Sequence, residues 1–92
     1  MITAIVLVRT AADRIPETAQ AIADLDGVSE VYSCAGDVDL IAMVRVAEHD
    51  QLADVIAGRM SKVDGVVHTD THIAFRSYSR ADTEATFSAG LD

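Results

Sequence analysis

Two short stretches of this sequence carry residue types that do chemistry. The first is "GDVD", residues 36–39, where Asp37 and Asp39 sit one residue apart ahead of an apolar run. Two carboxylates can share acid–base work, hold a metal, or accept hydrogen bonds from an ammonium group. Acid–base pairs need surroundings that separate their pKa values, and nothing nearby in sequence supplies them. Asp and Gly also favour tight turns, so Asp37 reads as a solvated turn residue. Asp39 differs because it enters an apolar strand, where a carboxylate needs a partner or a ligand.

The second stretch is "HTDTH", residues 68–72. On a strand, His68, Asp70 and His72 share one face, and Thr69 and Thr71 share the other with Val67, Ile73 and Phe75. Two imidazoles and a carboxylate are zinc-ligand types. Three residues along one flat strand do not converge on one ion, however, and an edge strand is often polar simply to resist aggregation. No metal site is assigned. The threonines are ordinary strand residues, and their hydroxyls can also bond a polar ligand. Cys34 is the only cysteine. It excludes an internal disulfide, fits a reducing cytoplasm and reads as a buried structural thiol. No phosphate-binding glycine loop or nucleophile elbow is present, and no cofactor is expected.

The elements that position these residues follow a weak internal repeat. "LDGV" at 25–28 returns as "VDGV" at 63–66. Each copy follows a helical pattern, which itself follows a strand pattern. Strands are expected at about 2–9, 28–35, 39–47 and 66–76. Helices are expected at about 14–25, with Ile15, Ala19, Ile22 and Leu25 as an apolar stripe, and at about 49–62, with Leu52, Val55, Ile56, Met60 and Val63. Asp13 is a candidate cap, and Pro16 suits a first turn. Gly27 and Gly65 end the helices. Gly58, inside the second helix, marks a close contact.

The order βαββαβ predicts an α+β, ferredoxin-like sandwich: a four-stranded antiparallel sheet, order 4-1-3-2, with both helices on one face. The central strands are apolar on both faces. Ile2, Ala4, Val6 and Val8 point one way, Ile5 and Leu7 the other; Leu40, Ala42, Val44 and Val46 oppose Ile41 and Met43. Helices can cover only one face, so the other should be buried by a second copy. A homodimer joined through the sheet is expected.

Ninety-two residues make one domain. We divide them into a globular part, 1–77, and a polar tail, 78–92, whose Ser79–Asp82 resembles a helix start; a short helix docked through Phe87 and a frayed end both remain open. The net charge is −8 with seven scattered basic residues. Duplex binding needs a basic patch, so direct nucleic-acid contact is not expected. "MITAIVLVRT" is too short to span a membrane and lacks the marks of a leader. A cytoplasmic protein is expected.

Taken together, "LDGVSEVYSCAG", "GDVDLIAMVRV" and "VDGVVHTDTHIAF" resemble the effector-binding (RAM) domain of the Lrp/AsnC, or feast/famine, transcription regulators. The resemblance covers residues 1 to about 77. It implies sheet-to-sheet dimers, rings built from those dimers, and small effectors, usually amino acids, bound where dimers meet. The residues matching the family's Gly-x-x-Asp and Thr-x-Thr motifs are Gly36, Asp39, Thr69 and Thr71. By that resemblance, Asp39 would accept from an α-ammonium group, Gly36 and neighbouring N–H groups would receive a carboxylate, and the threonines would contact polar atoms. The two motifs lie on non-adjacent strands, so a site using both is more easily built between subunits. Family regulators carry a helix-turn-helix before this domain. Here Met1 opens directly into the first strand, so a stand-alone domain is expected, one that could mix with full-length regulators. The position before Asp39, often aromatic in the family, is Val38.

Two other classes compete with this regulatory reading. Ferredoxin-like dimers also host monooxygenases and isomerases. Such an enzyme needs a closed apolar pocket with acid–base groups, for which His72 and Tyr32 are the candidates. A purely structural association domain would instead fill its inter-dimer clefts with its own side chains. A regulatory domain without enzymatic activity is the expectation.

Overall fold

A computed structural model of the chain describes residues 1–80. β1 (Ile2–Thr10) leads through a 3-10 turn at Ala12–Arg14 into α1 (Ile15–Ala23). β2 (Val28–Ser33) and β3 (Leu40–Val46) follow, then α2 (His49–Ile56), a second 3-10 turn at Met60–Lys62, and β4 (Val66–Ile73). All pairings are antiparallel and the sheet order is β2-β3-β1-β4, which is 4-1-3-2 read from the other edge. This is the α+β, ferredoxin-like arrangement expected from the sequence.

Strand alternation explains where the core lies. Ala4, Val6 and Val8 of β1 pair with Val44, Ala42 and Leu40 of β3, and all six are fully buried. Ile22 of α1, Leu52 and Val55 of α2, and Met60 close over them. The intervening residues Ile5, Leu7, Ile41 and Met43 project from the other face and are only half-buried. Among the described residues, no helix covers this open face.

The two Asp-Gly turns repeat each other in detail. Val28 N–H donates to Leu25 O at 3.2 Å and Val66 N–H to Val63 O at 3.1 Å. Gly27 and Gly65 have φ of +94° and +97°, a conformation only glycine adopts cheaply. At Gly65 a Cβ would also collide with Thr18 Oγ1, which donates to Asp64 O at 3.0 Å. Thr18 is therefore a fully buried member of the α1 interface, and the apolar stripe did not reveal it.

Several local expectations are corrected. Asp13 does not cap α1. It lies in the 3-10 turn, and Arg14 occupies the cap position without a side-chain bond. α2 stops at Ile56 rather than running to 62, because Ala57 and Gly58 N–H both reach back to Ala53 O. A Cβ on Gly58 would sit 2.5 Å from Asp54 O, so this glycine serves the helix end, not its interior. At its start, α2 is held by Gln51 Oε1, which accepts from Ala47 and Glu48 N–H at 3.0 and 2.8 Å. Val67 does not share a face with Thr69. A bulge pairs Thr10 with Val66 but Arg9 with His68, so Val66 packs on the core and Val67 is 70% exposed. Most of the expected tail helix lies outside the described residues.

Candidate functional site

Asp39 stands where β3 begins. Its N–H donates to Val8 O at 3.0 Å, its carbonyl accepts from Cys34 N–H at 3.0 Å, and its carboxylate Oδ2 accepts from Thr10 N–H at 2.9 Å. The β1–β3 ladder ends at the Val8–Leu40 pair, so Thr10 N–H has run past the last backbone partner on that side. The Asp39 carboxylate takes the carbonyl's place. A hydrogen bond that satisfies an otherwise unpaired donor contributes about 1–2 kcal/mol, so this residue fastens the end of β1. Thr10 is itself buried, and its hydroxyl has no partner among the described residues.

Gly36 and Asp37 lie in the exposed bend before Asp39. Gly36 has φ of +137°, with open space where a side chain would be. Cys34 is half-buried rather than buried, and its thiol donates to Val38 O at 3.4 Å. The bend is thus tied at both ends while Gly36 and Asp37 at its tip are exposed.

Thr69 and Thr71 pair with Val8 and Val6, so they sit on the helix side of the sheet. They stay accessible because β4 is an edge strand. Thr69 lines a shallow groove of about 240 Å³ with Ser61, Val66, Val67 and His68. Asp39 and Thr69 flank β1 from opposite sides, two strand spacings or about 10 Å apart. Within one protomer β1 lies between Gly36 and Asp39 on the β3 side and Thr69 and Thr71 on β4.

The open face carries charged groups along both sides of its apolar stripe. On the β4 side stand His68, Asp70 and His72, opposite Arg9, Leu7 and Ile5. His72 Nε2 lies 3.3 Å from Asp70 Oδ2. Among the described residues, no three His, Cys, Asp or Glu side chains gather as a metal site would require. On the β2 side, Tyr32 donates to Glu30 at 2.6 Å and Arg45 contacts Glu30 at 3.2 Å and Ser29 at 2.6 Å. The Tyr32 hydrogen bond, and after it Arg45, holds the Glu30 carboxyl below the usual carboxylate range. The same bond from Glu30 pushes the Tyr32 phenol up. Sequence reading missed this cluster, because it depends on which residue of β2 lies beside which of β3. Tyr32 and His72, the candidates for an enzyme pocket, stand exposed on opposite edge strands.

Comparison with known proteins bears on the family and the fold. The Lrp/AsnC ligand binding domain profile matches residues 3–83. The transcriptional regulator LrpA1 of Halobacterium salinarum is 38% identical over 72 residues, which cover 78% of this chain and 49% of the regulator. The chain thus spans about half the length of that curated relative. A Thermus thermophilus protein of known structure, TTHA0845, is 44% identical with a TM-score of 0.81, and the match covers 87% of this chain and all of that one. Escherichia coli AsnC shares the fold at 20% identity, with a TM-score of 0.79 over 85% of this chain and 53% of its own. With its sheet order and a family profile match over residues 3–83, this chain belongs to the Lrp/AsnC ligand-binding domain family.

Proposed function

We propose that this chain is an effector-sensing association domain of the Lrp/AsnC type. It pairs with a second copy through the open sheet face and builds rings from such pairs. It binds a small effector, such as an amino acid, where subunits meet, and modulates transcription indirectly in the cytoplasm, on its own or mixed with full-length family regulators. Gly36 and Asp39 of one subunit, with Thr69 and Thr71 of a neighbour, form the binding set. Asp39 offers its carboxylate to the ammonium group, and exposed N–H groups of the bend receive the acid group.

The observation that carries this reading is the open face itself. Ile5, Leu7, Ile41 and Met43 form an apolar stripe on the two central strands, flanked by charged groups on both edge strands. An apolar centre with a polar rim is how protein interfaces are built. The placement of the four binding residues supports a site between subunits, since one chain keeps them apart. Ligand binding at such a boundary would couple occupancy to assembly.

Calorimetry of the purified protein against the twenty amino acids, paired with sedimentation, tests the proposal. At least one amino acid should give heat and shift the oligomer distribution. Asp39→Asn keeps an acceptor for Thr10 N–H but loses the charge, so it should fold normally and bind more weakly. Absence of heat with every amino acid sinks effector recognition, and a monomer at all concentrations sinks association.

A further inference from the structure

The open face is longer than the sheet. β4 ends at Ile73, and Ala74 N–H still donates to Thr3 O at 2.9 Å. Beyond Ala74 the chain leaves the edge. Phe75, Arg76 and Ser77 border the same groove, about 470 Å³, as Ile5 of β1 and Met43 of β3. Thr3, Ile5, Met43 and Arg45, which also line that groove, all alternate with core-facing residues and belong to the open face. The segment therefore stands on the open side.

Its aromatic residues are bare. Phe75 is 99% exposed and Tyr78 84%. A phenylalanine this exposed is unfavourable, since an apolar ring gains free energy in proportion to the area it removes from water. The residue borders the groove on the open face, yet its ring is left in water. Four strands about 4.8 Å apart and about 25 Å long present a flat footprint of roughly 500 Å², and a standard interface buries roughly 800 Å² of accessible surface per partner. The bare segment is continuous with that footprint and adds to it.

We propose that residues 74–78 form an arm that crosses to a second copy of this chain, with Phe75 seated in the partner's groove against the Ile5 and Met43 positions. This rests on the face-to-face pairing proposed above. Two-fold symmetry makes the exchange reciprocal, since each copy offers both an arm and a groove. Phe75 would be the aromatic anchor at the end of the stripe, the kind of residue that dominates binding energy in interfaces.

The test uses the full chain. Phe75→Ala should raise the dimer dissociation constant about 10- to 100-fold, as expected from loss of one buried aromatic. The melting of the dilute monomer should not change, because the ring is exposed there. The protein has no tryptophan, so Phe75→Trp provides a single reporter. Its emission should move to the blue in step with dimer formation measured by sedimentation. Ile41→Arg, on the open face but outside the groove, tests the face separately and should give a folded monomer. If Ile41→Arg still dimerises, the pairing face is wrong and the arm falls with it. If Ile41→Arg is monomeric but Phe75→Ala dimerises like wild type, or the indole emission stays fixed through the transition, the arm alone is overturned.

Discussion

Val6 and Leu7 are neighbours on β1, and they meet different surroundings. Val6 faces α1 and α2 and is fully buried, while Leu7 faces outward and is half-exposed. The same contrast separates Ala42 and Val44 from Ile41 and Met43. Residue type does not distinguish the two faces, for both are lined by aliphatic side chains. What differs is the cover. One face receives helices from its own chain. The other has no such cover among the described residues and is partly wet. A substitution one position along a strand should therefore move a defect from folding to association.

The sharpest break in this contrast is a carboxylate placed on each face. Val6→Asp puts an unpaired charge in the closed core and should cost more than about 4 kcal/mol; circular dichroism should show no cooperative melting. Ile5→Asp, its neighbour, should keep the monomer's secondary structure. Sedimentation should instead show dimer affinity lowered at least about 100-fold, because the charge is stranded only in the pair. If both variants unfold alike, the open face belongs to the fold and not to an interface.

Glycines sharpen the comparison at a second level. Gly27 lies at φ +94°, and a Cβ there would come 2.8 Å from Val55 Cγ2 and 3.4 Å from Val46 Cγ1. Gly36, at φ +137°, meets open space. Gly27→Ala combines backbone strain with overpacking and should lose about 2–4 kcal/mol by chemical denaturation. Gly36→Ala should lose only about 1 kcal/mol. Asp39 comes next. Asp39→Ala removes the acceptor for Thr10 N–H and should cost about 1–2 kcal/mol, and Asp39→Asn should restore most of it. A full loss with Asn would show that charge, not hydrogen bonding, holds the end of β1.

The smallest effect belongs to the rim. Tyr32→Phe removes the main hydrogen bond that lowers the Glu30 pKa, so the Glu30 carboxyl should return toward its ordinary range, as read by NMR titration. A lowered folded-state pKa stabilises at pH above the unfolded value and fades as pH falls through the folded one. Wild type should therefore lose this small contribution on the acid side, and Tyr32→Phe should show less of that loss. An unchanged Glu30 titration would contradict the cluster.

Much of the molecule is legible in the order of its residues. The Asp-Gly repeat, the period-two strands and the helical stripes are local patterns, and each is set by backbone geometry within a few residues. They are enough to predict the sheet order, the covered face and the apolar surface opposite it. Asp39 stands out for the same kind of reason, as a carboxylate at the mouth of a buried strand. Local pattern could not reveal that its carboxylate closes β1 through Thr10, since that bond joins residues 29 apart.

The tertiary structure decided the remaining details, and each depends on a crossing of distant segments. The bulge opposite Arg9 turned Val67 outward and left Val66 on the core. Thr18 became a core residue because the Gly65 turn packs against it. The Glu30–Tyr32–Arg45 cluster exists because β2 lies beside β3, and the bare Phe75 stands on the open side because the chain leaves the sheet after Ala74. The sequence by itself determined which residues belong to one face or one turn, because alternation and helical period act over short distances. Which side chains then meet across strands is settled by register and by the close fit of surfaces, and these arise only when the whole sheet is assembled.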